Sequence, residues 1–488
     1  MVRRRLEKSS RPIMRKIPDT LLLAGTFLLF AFLEIWKIGS VSVFEWDEAR
    51  YGIHALGMIQ NDDFVNYYYL GTLDIRTGKP PLANWLIAGQ YLIFGKNEWA
   101  LRFHSVWATL LWFWVAWRLV SAYKTPRFAC LTLLLLAATN GIIGFHVGRT
   151  GDADALLILF ETAAVYFYLQ YLDVGRPKAL LWVGPLLGLG FLAKSVAVFF
   201  LLPGLFLYTL LRGRVRSVLF EKNGWITAGG FLVFPAIYFG LIHFWGEKWE
   251  TSSYGGDSLW TTMLSFDILR RFTENIAEGS YDPLHIVHVL DINFNLWNYL
   301  FYLAVGWFGW RFWHTRDRWR ARLCAPENRL LTLSFCIIIS LSVLLTVSYN
   351  KHQWYFAPAW LFVAVVTVDF LMRVGKKYPQ VHAVWAVLLV FTLSRKIVDT
   401  HAPDTRLRDF FRAHQARLAS AEKIYTHPAI PQHYHLYLAW SNPHIGFVGE
   451  SRPNPRALYF LEQKDVVARQ LKPLDCIDGF CIAAGKNE

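Results

Sequence analysis

The chain has 488 residues, of which 54% are hydrophobic and 17% aromatic, with 22 Trp and only 18% charged. It is too apolar and too long for one soluble core, which places it among membrane proteins. The formal net charge of +14 then reads as a topology and anionic-lipid signal, and no nucleic-acid partner is needed to explain it.

Apolar stretches of the length a bilayer requires, about 17 to 25 residues, recur along the chain. The first covers 19–39. Further spans are predicted at 99–117, 128–147, 154–172, 179–193, 195–211, 225–245, 295–310, 329–348, 354–372 and 380–398. That is eleven helices, up to thirteen allowing for short or missed segments. The basic tail 1–19 followed by 19–39 imitates a signal peptide, but no small-residue cleavage site follows, so the segment reads as a retained anchor. Lys and Arg concentrate in the tail and in 118–127, 173–178, 212–222, 311–329 and 373–377, which together hold half of the 50 cations. The opposite short connections hold only Arg149, Lys194 and Lys351. Cationic loops stay on the cytoplasmic side, so the N-terminus is inside. The expected organisation is a cytoplasmic tail 1–19, a transmembrane domain 20–398 with outer loops 40–98 and 246–294, and an extracytoplasmic domain 399–488.

That last piece reads as a small mixed domain. "AEKIYTH" and "RALYFLEQ" are predicted strands, "HYHLYLAW" fits strand or helix, and "CIDGFCIAAG" fits a terminal hairpin. Cys476 and Cys481 lie on the outer side, where a disulfide is permitted. Cys130 and Cys336 fall inside spans, where a small buried hydrophobe is the expected role. No repeat of about 20 to 50 residues and no low-complexity tract is evident.

The first outer loop begins "FEWDEARYGIHA", residues 44–55. As a helix, it would put Asp47, Arg50, Tyr51 and His54 on one face and Ile53 and Leu56 towards another, which suits a helix lying at the membrane surface. An ordinary solvated face would look the same. A second stretch in the loop, "TGKPPLANWLIAGQYLIFGKNEWALRFHS", sets Lys79 before two prolines that open another short helix.

These residues resemble a known family. "DEARY" at 47–51, "KPPL" at 79–82, "FG" at 94–95, Glu98 and Arg102 look like the first outer loop of the GT-C membrane glycosyltransferases related to the lipid A aminoarabinose transferases and the protein O-mannosyltransferases. "GRTGDADALL" resembles the family's Arg and Asp at Arg149 and Asp154. "FLAKSVAVFFLLPGL" resembles its Thr-Lys-Gly-Pro run at Lys194, and "SYNKHQWYFAPAWL" its Lys, Tyr and Pro at Lys351, Tyr355 and Pro358. The aromatic "WNYLFYLAVGWFGW" is similar to the start of a middle span. The likeness runs in order from residue 20 to about 375. It departs at Gly151 and Asp152, where the family often has Thr-Leu, and at Ser195 and Val196, where it has Gly-Pro.

The resemblance implies an α-helical polytopic protein of GT-C fold. It also implies an inverting transfer of a sugar from a polyprenyl-phosphate donor to a hydroxyl or phosphate on a lipid, glycan or protein, at the outer face of the inner (plasma) membrane. Asp47, Glu48 and Asp154 are the candidate acid–base residues. Arg50, Lys79, Arg149, Lys194 and Lys351 are the candidate phosphate ligands, and Tyr51 and Tyr355 the candidate substrate contacts. The chemistry agrees: a departing phosphate gains charge that preorganised cations stabilise, and an attacking hydroxyl loses a proton that a carboxylate can accept.

Each of these residues also has a plainer role. Lys194 and Lys351 could snorkel at span ends. Arg149 could pair with Asp152 or Asp154, and Asp154 could cap its helix. Glu161 is expected to bond a neighbouring helix or to serve a proton path. A divalent metal stays open, His285 and His288 with Asp282 and Asp291 offering ligands at a spacing that is not diagnostic. A secondary transporter would also carry intramembrane charge, but it should show paired halves, which this sequence lacks. A scaffold or ligase that binds lipid-linked oligosaccharide would likewise place charges outside. No glycine-rich nucleotide loop follows a strand.

Overall fold

The computed structural model describes residues 18–74, 79–144, 146–246, 282–401, 403–449, 454 and 456–485. A helix forms in each of the eleven stretches expected to cross the membrane. Seven helical segments among the described residues are long and apolar enough to cross, from Asp19–Ser40 to Gln380–Thr400. The others are shorter or more polar. Glu98–Ser121 has 24 residues but carries Arg102, His104, Ser105 and Thr109 on its buried side. Its start is set by Asn97, whose side chain accepts a hydrogen bond from Ala100 N at 2.9 Å, as an N-cap should.

The third expected span is the main departure. Its helix covers only Pro126–Ala137, and residues 138–144 and 146–153 run without regular helix although Ile142, Ile143 and Val147 are buried. Gly141 sits against Trp360, where an added Cβ would come within 2.7 Å of the indole ring. Hydropathy registered the burial of this stretch and missed its shape. Two more spans begin with a 3-10 turn, Ser195–Phe199 and Gln353–Ala359. The helix Asp154–Leu172 is central, packed between Glu98–Ser121 and Leu180–Lys194, while Lys222–Trp245 packs on Leu180–Lys194 and is mostly exposed. Its uncovered Trp225, Leu232, Ile237 and Phe244 suit a lipid-facing surface.

At one end of the bundle the helices Asp47–Asn61 and Leu82–Phe94 pack together. Between them strands β1 (Tyr68–Tyr69) and β2 (Thr72–Leu73) form an antiparallel hairpin. Its turn residues Leu70 and Gly71 both have positive φ, the geometry that matches strand twist.

The C-terminal piece covers this end. Its strands are β3 (Ile424–Thr426), β4 (Ile445–Phe447), β5 (Leu458–Glu462), β6 (Lys472–Ile477) and β7 (Phe480–Ala484), in the sheet order β4-β3-β5-β7-β6. β3 runs parallel to β4 and β5, and the other pairs are antiparallel. Asp478 and Gly479, both at positive φ, turn the β6–β7 hairpin, and Cys476 lies opposite Cys481 in a disulfide. "HYHLYLAW" forms a helix, Gln432–Ser441. This helix lies on Asp47–Asn61, whose Gly52 permits the approach: a Cβ there would meet Leu436 Cδ2 at 2.6 Å.

Candidate active site

Asp47 opens the helix Asp47–Asn61, where the positive end of the helix dipole favours a carboxylate. Lys79 Nζ reaches Asp47 Oδ2 at 2.7 Å and lies 5.1 Å from the Tyr51 ring centroid. Glu48, one residue on, is turned inward and almost fully buried. It accepts from Arg102 Nε at 2.6 Å and Arg102 Nη2 at 2.9 Å, and from the backbone N–H groups of Phe44 and Gly151, each at 2.7 Å. With both oxygens engaged this way, Glu48 ties the first outer loop to the helix Glu98–Ser121 and to the segment that carries Asp152. These four contacts occupy the carboxylate expected to serve as an acid or base and fit it for holding the loop in place.

A cleft beside Asp47 is lined by Lys79, Lys194, Ser195, Ser348, Asn350 and Tyr355, with apolar residues behind them. Lys194 ends its helix, ion-pairs with Asp154, and sits 5.6 Å from the Tyr355 ring centroid. Ser195 then takes φ 53° and ψ −136°, a conformation natural to glycine and strained for serine. Glycine is the residue the resembling family carries there. Ser195→Gly should therefore raise thermal stability by about 1 kcal/mol, read as a higher melting temperature of the detergent-solubilised protein. An unchanged or lower melting temperature would count against strain at this position.

Asp47, Lys79, Tyr51, Asp154, Lys194 and Tyr355 thus gather in one region, and three other expected residues do not line the cleft. Arg149 is used on the first helix, donating to the carbonyls of Leu33, Glu34 (3.0 Å) and Trp36 (2.8 Å). Those carbonyls lie at a helix C-terminus and lack helical partners, which is why a guanidinium fits there. Arg50 is held by Asp74 at 2.6 Å, and Asp74 also contacts His54 Nε2 at 2.9 Å. Lys351 donates to the carbonyl of Asp282 at 3.0 Å.

The second outer loop does not bring its four candidate metal ligands together. His288 pairs with Asp282 at 3.1 Å, whereas Asp291 accepts from Asn298 and Tyr302. The bond expected of Glu161 is also missing. Both its carboxyl oxygens are buried with no hydrogen-bond partner among the described residues, beside an apolar groove of about 440 Å³.

Sequence reasoning gives no role to His146, and takes Asp152 as a departure from the family's pattern and a partner for Arg149. Asp152 Oδ1 lies 3.4 Å from His146 Nδ1, and neither contacts Arg149 in an ion pair. Asp47, His146 and Asp152 place ligand atoms within 4.8 Å of one another, the one such set among the described residues.

Electrostatics separate these groups. Burial opposes ionisation of Asp47, but the contact with Lys79, helped by Lys194, outweighs it and holds the carboxyl well below its usual range. Asp152 goes the other way, because burial and the charges of Asp47 and Asp154 raise it well above that range. Burial keeps His54 low despite Asp74.

Residues 78–242 match the family described as dolichyl-phosphate-mannose-protein mannosyltransferase. Among curated relatives, an uncharacterised protein of Aquifex aeolicus is 26% identical over 372 residues, covering 74% of this chain and 67% of its own length. The undecaprenyl phosphate-alpha-4-amino-4-deoxy-L-arabinose arabinosyl transferase of Pectobacterium carotovorum is 24% identical over 379 residues, covering 73% of this chain. The chain spans 60% of that enzyme's length. Among solved structures, ArnT from Cupriavidus metallidurans bound to undecaprenyl phosphate superposes with a TM-score of 0.72 at 15% identity, over 96% of this chain and 99% of that one. The chain has the GT-C fold of that structure. A more distant GT-C likeness is to the Archaeoglobus fulgidus oligosaccharyltransferase in complex with Zn and sulfate, with a TM-score of 0.53 at 14% identity over 87% of this chain and 62% of that one. The GT-C fold and the seven apolar helical segments together make the chain a multi-pass membrane protein.

Proposed function

We propose that the chain is a glycosyltransferase that moves a sugar from a polyprenyl-phosphate donor to a hydroxyl or phosphate of a lipid, glycan or protein, with inversion, at the outer face of the inner membrane. The observation that carries this reading is the Asp47–Lys79 pair, whose Lys79 lines a cleft together with Lys194 and Tyr355. A carboxylate and two ammonium groups in one part-buried cleft supply both halves of the reaction. The cations stabilise the phosphate as it leaves, and Asp47 takes the proton of the attacking oxygen. The matched relatives include an enzyme named for an undecaprenyl-phosphate donor, which supports the donor class.

The ion pair bears on base strength. A carboxylate held below its usual range is a weak base, and Lys79 is what holds Asp47 there. Donor phosphate arriving on Lys79 would loosen that pair, so Asp47 gains proton affinity when the leaving group is in place. In the free enzyme Asp47 is ionised well into the acid range, so its loss by protonation should appear only below the usual carboxylate pKa. Lys79→Ala removes the main opponent of burial, leaving Lys194 as a weaker one, and should move the acid limb of the kcat/KM profile to higher pH. An acid limb that stays in place in this variant would argue against the coupling.

The outer-face assignment has its own check. A cysteine in place of Ser9 should be protected from an impermeant thiol reagent in intact cells, whereas one in place of the exposed Val467 should react. The reverse pattern would invert the topology. Turnover itself is tested by offering purified protein a polyprenyl phosphate sugar and following release of free polyprenyl phosphate.

A further inference from the structure

We propose that the apolar groove behind the turn Ser195–Phe199 is a binding site for a lipophilic amine, its ammonium group paired with the Glu161 carboxylate. Binding there stands apart from the transferase reading.

Glu161 lies about two turns beyond Asp154 on the same face of the helix Asp154–Leu172, inside a segment long and apolar enough to cross the membrane. It is 1% exposed, and neither carboxyl oxygen has a hydrogen-bond partner among the described residues. The two charged groups that act on it, Asp154 and Lys194, pair with each other. The other polar side chains of the groove wall are satisfied. Tyr168 and Thr209 bond each other, and Thr209 and Thr227 donate to the carbonyls of Leu205 and Leu180. Glu161 is therefore the unpartnered polar group of an otherwise apolar wall. Burying a carboxylate in this way is costly, and an ionisable residue at membrane depth usually serves a ligand or a partner.

The groove's volume, about 440 Å³, is that of a small-molecule site. Its chemistry selects the occupant. A purely hydrocarbon chain would leave the carboxylate unpaired, and a strongly hydrated cation would lose its water to an apolar wall. An amine on an apolar skeleton meets both conditions. The skeleton fills the groove, and the ammonium donates a charge-assisted hydrogen bond to Glu161 where the surroundings screen it little. The turn between groove and cleft is shared. Ser195, Val196 and Ala197 line the cleft beside Asp47, whereas Val198 and Phe199 line the groove. An occupant of the groove thus bears on the far side of the cleft wall without entering the cleft.

The test uses full-length protein in nanodiscs of neutral lipid, with tritiated imipramine, a tricyclic tertiary amine, as the probe and empty nanodiscs as the blank. One saturable site per chain should appear. Glu161→Gln keeps the shape of the side chain without its charge and should weaken binding at least about tenfold. Iminodibenzyl, the same ring system without the amine arm, should compete at least about tenfold more weakly. That comparison is made in wild-type protein, so a folding defect in a variant does not enter it. Ala164→Leu, which adds bulk to the groove wall one turn from Glu161, should also weaken imipramine. His288→Ala, in the second outer loop, should leave binding unchanged. No saturable binding by folded wild-type protein, or binding indifferent to Glu161→Gln, overturns the site. Iminodibenzyl competing as well as imipramine overturns it too, and gives the groove to hydrocarbon chains. The readout contains no sugar donor, so its failure leaves the transferase reading standing.

Discussion

Asp47→Asn should lower turnover at least about a hundredfold while donor binding changes little. The amide keeps the shape and much of the hydrogen bonding of the carboxylate but cannot accept the acceptor's proton, and general-base assistance is worth about a hundred- to ten-thousandfold. Lys79→Ala should behave differently. It removes a phosphate partner worth about 1.5 to 3 kcal/mol as a charge-assisted hydrogen bond, so donor affinity falls together with rate. Turnover measured beside direct donor binding, in protein shown to be folded, separates the two effects. Near-normal turnover in Asp47→Asn would pass the role of base to Asp154. Lost donor binding in that variant would make Asp47 a binding residue.

Arg102→Leu, on the helix that anchors the first outer loop, should strongly destabilise the protein. The guanidinium is fully buried, pairs with Glu48 through two bonds, and donates to the carbonyls of Ile38, Val41 and Ser42 at 2.7, 2.8 and 2.9 Å. Removing one member of a buried pair strands the other charge, at a cost of about 3 to 5 kcal/mol. The expected result is a large fall in melting temperature or loss of monodisperse protein on size exclusion. Replacing both partners, as Glu48→Met with Arg102→Leu, should recover only part of that loss, because the N–H groups of Phe44 and Gly151 would still lack the Glu48 carboxylate. Normal stability of Arg102→Leu would contradict the holding role given to Glu48.

The Glu48–Arg102 pair marks where sequence reading succeeded and where it stopped. Asp47 and Glu48 are adjacent acids in one motif, and sequence alone gives them one role. A helix turns neighbouring residues about 100° apart, so one faces the cleft and the other the interior. The cations show the same limit. Lys79 and Lys194 stand out in the sequence because charge at a membrane interface is costly and usually used, and both line the cleft. Arg149 met the same criterion, but helix-end carbonyls claim it. Whether a lone cation in a short loop serves a ligand or a helix end depends on where the preceding helix stops.

The position of Asp152 was hidden for a related reason. The run 128–147 is mostly apolar, yet its helix ends at Ala137 and the described chain after it continues as buried irregular backbone. Such backbone is tolerated at membrane depth only when covered by protein, and hydropathy does not register cover. The C-terminal domain was legible at its strands and its "CIDGFC" turn. "HYHLYLAW" was ambiguous because aromatic and polar residues alternate like a strand, whereas packing on the Asp47 helix and the entry after Pro431 make it a helix.

Release of free polyprenyl phosphate from a polyprenyl phosphate sugar bears most directly on the account. Purified wild-type protein given a panel of such donors with candidate lipid, glycan and peptide acceptors should release the free lipid phosphate with at least one pair. That release should fall at least about a hundredfold in Asp47→Asn. Donor binding without any release across the panel, or release that Asp47→Asn leaves intact, would contradict it.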